Sequence, residues 1–278
     1  MITLSSDFGS PYPAAMKGVI CQRTDARLVD VTHDFPRQDV RSAAFWLREV
    51  LPYFPPAVHL VVVDPGVGTE RDALVVRAGD HTLVGPDNGV LVPAARRLAG
   101  KTGSESVDPT PFDVFRVRSQ DPSSADDVAE AWPPVPESST FHGRDVFAPT
   151  AAHVHEIGIE TLDADEGLEP LEEFVDMRFP TPELQDERAI GEILVVDEFG
   201  NAITNVPGTY LDGRFGGHLL VDDEVAPVCR TYADVAPGER LVTVGSHENV
   251  ELAVNQGRGD DAFDLAVGET VQLDRDVE

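Results

Sequence analysis

The chain has 278 residues, 41% of them hydrophobic, enough for one large domain or two smaller ones with a core each. Its formal net charge of −29 repels phosphate and argues against nucleic-acid binding. No apolar run is long enough to span a bilayer, and MITLSSDFGS lacks the basic start and apolar middle of a signal peptide, so a soluble cytoplasmic protein with no membrane partner is expected.

Lys17 and Lys101 are the only lysines, and arginine supplies the other fixed cations. An acidic, lysine-poor chain with few aromatics could be disordered. Its apolar strand patterns argue instead for a folded protein from a very salty cytoplasm. At about 1 M salt the Debye length is about 3 Å, so surface carboxylates barely repel one another. Most of the acidic residues therefore read as solvated surface. Cys21 and Cys229 lie far apart without metal spacing and read as two buried thiols rather than a disulfide.

In chain order, Ile2–Ser5 reads as a strand, Ala14–Arg23 as a helix and Arg27–Val31 as a second strand. Asp39–Leu51 reads as a helix with Ala43, Ala44, Leu47 and Val50 on one face and Asp39 near its start. The run Val58–Val63, VHLVVV, suits a strand buried on both faces of a parallel sheet. Ala73–Arg77 and Thr82–Val84 are shorter strands around a Gly-Asp turn. Arg118–Ser139, rich in Ser, Asp and Pro, reads as a surface excursion. A helix is expected from Ala148 towards Val154. Alternating strands and helices imply an α/β domain with a largely parallel sheet over residues 1–178.

Phe179–Gln185, FPTPELQ, opens a linker placed at 179–188. The pattern then turns to strands only: Ile190–Val196, His218–Val221, Leu241–Val244, Val250–Val254 and Thr270–Leu273, separated by Gly, Asp and Asn turns. A small antiparallel β-barrel or sandwich over 189–278 is expected.

Four stretches carry polar residues where a strand ends, the place ligands gather in α/β sheets. Ser5-Ser6-Asp7-Phe8-Gly9 offers a carboxylate that suits a ribose diol or, equally, a cap on the next helix. Asp64-Pro65-Gly66-Val67-Gly68-Thr69-Glu70-Arg71 follows VHLVVV and offers an Asp and an Arg that can return to one cleft or form a structural pair. It is not a phosphate loop, because no Gly-Lys-Ser/Thr closes it and Asp64 would repel phosphate. Thr140-Phe141-His142-Gly143-Arg144-Asp145 holds a histidine able to titrate near neutrality or simply to pack in a loop. Asp197-Glu198-Phe199-Gly200-Asn201, with Asn205 beyond, fits either an aromatic-and-amide grip on a flat ring or an ordinary hairpin turn. His33-Asp34 reads as structural. No Cys or His cluster has zinc spacing, and no Gly-x-Ser-x-Gly elbow is present.

Taken in order, SSDFG, MKGVI, LVDVTHDFP, VVVDPGVGTER, VGPDNGVL, TFHGRDVFAP, VVDEFGNAITNV and GSHENVELAVNQG resemble the S-adenosylmethionine (SAM) hydroxide adenosyltransferases, relatives of the bacterial fluorinase and chlorinase. The likeness runs from Asp7 to about Gly257. It implies an N-terminal α/β domain, a C-terminal β-barrel, and a homotrimer whose SAM sites lie between the N-terminal domain of one subunit and the C-terminal domain of the next. It implies Asp64, Arg71 and His142 around an attacking water, and Asp7 on the ribose. It also implies Asp197, Phe199 and Asn201 on adenosine and methionine, and Ser246, Glu251 and Val254 on adenosine. Two departures stand out. GSPYPAAMKG is shorter than the family's stretch between DFG and MKG, and Ser246-His247-Glu248-Asn249 replaces a Ser-Tyr-Gly, losing its aromatic.

The expected reaction is hydrolysis of SAM to adenosine and L-methionine, with water as nucleophile and neither cofactor nor metal. The alternatives are a chlorinase making 5′-chloro-5′-deoxyadenosine and a non-catalytic SAM or adenosine sensor. In the halogenating relatives the position of Asp64 is not acidic and a Ser stands where Gly143 is, so Asp64 and Gly143 point to water.

Overall fold

Every residue of β1 (Ile2–Ser6) is buried, as is every residue of β3 (Val58–Val62), so both strands are walled on two faces. The computed structural model describes residues 1–100, 111–118, 132–136, 138–222 and 224–275. Most of the excursion expected at Arg118–Ser139 (119–131 and Glu137) lies outside the described residues. The chain divides into two units, Met1–Arg178 and Phe179–Glu278.

In the first unit β1 pairs in parallel with β2 (Leu28–Thr32) and with β3. β3 pairs in parallel with β5 (His81–Pro86). The Gly-Asp turn, with Gly79 at φ +58°, folds β4 (Ala73–Ala78) back antiparallel on β5. β6 (Asp113–Val117) and β7 (Leu168–Pro170) extend that antiparallel side, giving a mixed sheet in the order β2-β1-β3-β5-β4-β6-β7.

Helices α1 (Tyr12–Cys21) and α2 (Val40–Val50) match the expected segments within two residues. The Asp39 side chain accepts from Ser42 N at 2.9 Å, a cap of the kind worth about 1 kcal/mol. Ala43, Ala44, Phe45 and Leu47 are buried on its inner side; each large apolar side chain so buried stabilises the fold by roughly 1.5–3 kcal/mol. α3 (Val92–Ala99) was not expected: Pro93 suits only a first turn, and its paired arginines blur an eight-residue pattern. One expectation is corrected: Cys21, read as buried, is exposed at the end of α1, while Cys229 is buried. A short π-helical turn, Gly143–Phe147, leads into α4 (Ala148–Ile157). Pro149 has no N–H to close the ordinary helical ladder where the two join. Met16, Ile20, Val62, Phe147 and Ala151 share one core beneath it.

Every strand pair of the second unit is antiparallel. Its sheet runs β12 (Glu224–Pro227), β11 (His218–Val221), β15 (Thr270–Arg275), β9 (Arg188–Val196), β10 (Ala202–Pro207), β14 (Asn249–Val254), β13 (Arg240–Val244), with β8 (Glu183–Leu184) on β9. A bridge between Val228 and Val242 brings the two edges together and closes the barrel. Ile193, Val206, Leu219, Leu252 and Val271 fill it. All five expected strands are present. β8, β10 and β12 are additional: the two-residue β8 falls within the expected linker, and Asn201 and Asn205 disguise β10 as turn.

Candidate active site

β1 and β3 are neighbours with Ser6 opposite Val62, so Asp7 and Asp64 emerge at the same carboxyl edge of the sheet. The loop after β3 doubles back on itself: Val67 N donates to Asp64 O at 3.3 Å and Thr69 Oγ1 donates to Gly66 O at 2.7 Å. The Arg71 stem lies 3.5 Å from where a side chain on Gly66 would start. Arg71 therefore returns to Asp64 as a fork, with Nε donating to Oδ1 at 2.6 Å and Nη2 donating to Oδ2. Only 5% of the Asp64 side chain and 12% of the Arg71 side chain are exposed. Two charges out of water need such bidentate geometry to offset desolvation. The guanidinium also lies over the Phe147 ring, 4.9 Å from its centre.

Arg71 Nη2 reaches His142 Nδ1 at 3.3 Å. A guanidinium can only donate, so Nδ1 accepts and the neutral imidazole carries its proton on Nε2. Burial, and then the Arg71 charge, hold the His142 pKa below its ordinary value, outweighing Asp64 and Asp145. His142 is thus neutral at pH 7. With Gly68, Thr69, Pro136, Ser138 and Ser139 it lines a cavity of about 290 Å³.

Glycine is required where loop and histidine segment meet. Gly68 has φ +79°, and a Cβ there would lie 2.6 Å from Ser139 O. Gly68→Ala is expected to cost about 1–3 kcal/mol in urea unfolding and to lower kcat by more than about tenfold, because it drives the Arg71 loop off the His142 segment. Wild-type kcat in that variant would contradict this account of the loop.

Asp7 is not a helix cap. Its Oδ2 accepts from Gln38 N at 2.7 Å, and α1 has no side-chain cap. Ser6 Oγ is hydrogen-bonded to His33 Nδ1 at 2.7 Å, and Gly9 N donates to His33 O at 2.9 Å, so His33 fastens the Asp7 loop. His33 Nε2 lies 3.0 Å from Asp30, which also pairs with Lys17 at 2.6 Å.

In the barrel unit, Asp197 accepts from Asn201 N at 2.8 Å and from Asn201 Nδ2 at 2.9 Å, closing the β9–β10 hairpin. Phe199 stands at its tip, 78% exposed. Asn205 is structural: its Oδ1 accepts from Glu192 N and its Nδ2 donates to Pro180 O. Ser246 is exposed, and Val254 ends β14 at a bridge to Gly257. Glu251 is only 4% exposed and accepts from Tyr232 OH at 2.6 Å and His247 Nε2 at 2.9 Å.

Sequence reasoning missed Tyr232. It lies 19 residues from Glu251, with no motif to mark it. Burial, the hydrogen bond to Glu251 and the Glu251 and Asp197 charges raise its pKa well above the usual phenol range. Tyr232 and His247 thus share the Glu251 carboxylate. Asn88, inside the PDNG stretch, was also missed as a positioning group: its Nδ2 donates to Val63 O at 2.8 Å and holds the strand end from which Asp64 springs.

Among the described residues no group of three or more His, Cys, Asp or Glu is placed to hold a metal ion. No helix among them is long and apolar enough to cross a membrane.

The family model of the SAM hydroxide adenosyltransferase N-terminal domain matches residues 2–162, and that of the C-terminal domain matches residues 191–272. The chain belongs to the SAM hydroxide adenosyltransferase family. An (R)-S-adenosyl-L-methionine hydrolase of Salinispora tropica is 39% identical over 277 residues, 98% of this chain and 97% of the relative. One of Thermus thermophilus is 40% identical over 272 residues, 96% of this chain and 97% of the relative. The crystal structure of an uncharacterized conserved protein from Thermotoga maritima superposes with a TM-score of 0.79 at 30% identity, covering 99% of this chain and all of the other. The likeness to this family thus extends through both units, including the loop that carries Asp64 and Arg71 and the segment that carries His142.

Proposed function

We propose that the protein hydrolyses SAM to adenosine and L-methionine by attack of water on the ribose C5′. The observation that carries this reading is the buried Asp64–Arg71 fork whose free edge meets neutral His142 at a cavity wall. The water oxygen bonds to C5′ as the C5′–S bond breaks, and that electron pair goes to sulfur. The sulfonium thereby becomes the neutral thioether of methionine, so no general acid is needed. The proton lost by the attacking oxygen passes to a remaining lone pair of Asp64 and on to solvent.

Arg71 stabilises the hydroxide character that develops on the oxygen, and the His142 Nε2–H orients it. Hydroxide and sulfonium neutralise each other as they combine, so excluding bulk water strengthens their attraction. Chloride is disfavoured because Asp64 places a carboxylate where an anion would have to sit. Asp7 takes the ribose diol. Asp197, Phe199 and Asn201 hold the methionine and adenosine ends, with Ser246 and the Val254 backbone on adenine. Glu251 acts there through the Tyr232 ring it fixes. The working assembly is a homotrimer with each site drawn from two subunits. SAM is the substrate, and no cofactor enters. The protein works in a salt-rich cytoplasm.

Incubation with SAM in molar potassium chloride, followed by chromatography, is expected to give adenosine and methionine in equal amounts. A peak of 5′-chloro-5′-deoxyadenosine would replace hydrolysis by halogenation, and SAM bound but unchanged would mark a sensor.

A further inference from the structure

Two stretches of the family likeness, MKGVI and LVDVTHDFP, supply no residue to the proposed contacts with SAM. The structure brings three of their side chains into one line. Lys17 Nζ donates to Asp30 Oδ2 at 2.6 Å. Asp30 Oδ1 lies 3.0 Å from His33 Nε2, and His33 Nδ1 lies 2.7 Å from Ser6 Oγ. The line starts near solvent, with 45% of the Asp30 side chain exposed, and ends at Ser6, which is fully buried. Ser, His and Asp also make up a hydrolytic triad, but a nucleophile must be reached by its substrate, and Ser6 is shut away. The line holds something in place rather than attacking.

A bulge in β2 makes the line possible. Leu4 stands opposite Asp30 but Ser5 stands opposite Thr32, so Val31 is an extra residue. Side chains three apart on a regular strand point to opposite faces. The extra residue turns His33 back to the side of Asp30. An ionised carboxylate can only accept, so Nε2 carries its proton toward Asp30, and Nδ1 of the neutral ring accepts from the Ser6 hydroxyl. Ser6 ends β1, directly before Asp7. Around it the 33–38 segment wraps the 6–9 segment. Gly9 N donates to His33 O at 2.9 Å, Phe35 N to Ser6 O at 3.4 Å and Gln38 N to Asp7 Oδ2 at 2.7 Å. Gln38 holds φ +62°, a left-handed conformation that a glutamine keeps only when its surroundings impose it. Its N–H is thereby aimed at one oxygen of Asp7. No second described residue bonds that carboxylate, so Oδ1 remains for a ligand.

We propose that His33, oriented by Asp30 and Lys17, is a positioning residue that aims the Asp7 carboxylate at the 2′- and 3′-hydroxyls of the substrate, and so sets a preference for ribonucleosides over deoxyribonucleosides; this rests on the reading of Asp7 as the ribose ligand. A carboxylate grips two hydroxyls only when neighbouring groups fix its position. Ser6 and Gln38 bracket Asp7 from two sides. His33 anchors the hydroxyl of the first and begins the segment that carries the second. Without the imidazole, Ser6 Oγ loses its partner in a buried place and the two segments lose a link. The diol is unchanged by the reaction, so its grip acts on bound substrate and transition state alike. Loosening it raises KM and leaves kcat as it was.

Calorimetry with adenosine and with 2′,3′-dideoxyadenosine separates the diol from the rest of the nucleoside and needs no turnover. The wild type is expected to bind adenosine more tightly. His33→Ala is expected to weaken adenosine about 3- to 30-fold and to leave the dideoxy ligand within about twofold of wild type. KM for SAM rises by the same factor with kcat unchanged. In an Asp7→Ala background His33→Ala adds nothing, because its effect passes through Asp7. Should His33→Ala fail to fold, Asp30→Asn changes only the half-exposed end of the line. Lys17 then keeps the amide oxygen, the amide NH2 faces His33, and the imidazole takes the opposite tautomer. Adenosine alone is again expected to weaken. Equal weakening of both nucleosides, unchanged adenosine affinity in the variants, or a full effect of His33→Ala in the absence of the Asp7 carboxylate would overturn the proposal. A wild type that binds the two nucleosides equally would refute the reading of Asp7 itself. A wild type that prefers adenosine yet releases none from SAM would refute hydrolysis alone.

Discussion

Arg71→Ala is expected to lower kcat by about 10³-fold or more while SAM still binds. Loss of one preorganised donor to a developing anion typically costs about 10²–10³-fold. Arg71 does more than donate: it forks Asp64, reaches His142 Nδ1 at 3.3 Å and brings the permanent positive charge. Removing it also strands Asp64, 5% exposed, as an unpaired charge, a change that costs about 3–5 kcal/mol when one member of a buried pair is deleted. If that cost prevents folding, Arg71→Lys gives the answer. Lysine keeps the charge but cannot contact both carboxylate oxygens and the imidazole from one planar group. A folded Arg71→Lys variant is expected to lose kcat by at least about tenfold. A wild-type kcat in it would show that charge alone suffices and that the fork is only structural.

The second large effect is on stability in acid. His59 lies in the middle of the sheet, fully buried between β1 and β5. Its Nδ1 is 2.8 Å from Thr3 Oγ1 and its Nε2 is 2.9 Å from His81 Nδ1. The two imidazoles stack with centres 5.1 Å apart. One proton on each ring satisfies this chain, and an extra proton on His59 would place a charge in a fully buried site beside a second imidazole. Burial, then the neighbouring His81, lower the His59 pKa from 6.5 to about 3.

Because the folded-state pKa lies below the unfolded one, the unfolded chain binds the proton more readily between them. The resulting stability is complete above pH 6.5 and is lost as pH falls toward 3. Its full size is roughly 4–5 kcal/mol. Urea unfolding is expected to show the loss between pH 7 and pH 4 in the wild type. His59→Gln, which keeps a donor and an acceptor but does not titrate, should show it to a clearly smaller extent. Equal pH dependence in the two proteins would refute the role of the pair.

The framework of the fold was legible wherever burial leaves an unbroken apolar signature. VHLVVV declares a central strand, and Asp39 declares the helix it caps. α3 and β6 were not legible, because each is too short for its periodicity to stand out against its arginines and neighbouring prolines. In the candidate site, the loop from Asp64 to Arg71 could be read from its glycines and the strand before it, since chain connectivity brings Arg71 home. His142 could be proposed but not placed: its contact with Arg71 spans 71 residues and depends on how α4 lies on the sheet. Tyr232 escaped for the same reason: an aromatic side chain carries no sign of its partner until the fold sets Glu251 beside it. Cys21 was misread as buried because helix end and helix core look alike in sequence.

Hydrolysis at C5′ is tested most directly by isotope transfer. With SAM in ¹⁸O-labelled water and molar potassium chloride, mass spectrometry is predicted to find one labelled oxygen in each adenosine, on the 5′-hydroxyl, and none in methionine. Label in methionine, or 5′-chloro-5′-deoxyadenosine in place of labelled adenosine, would contradict the attack of water on C5′ beside Asp64, Arg71 and His142.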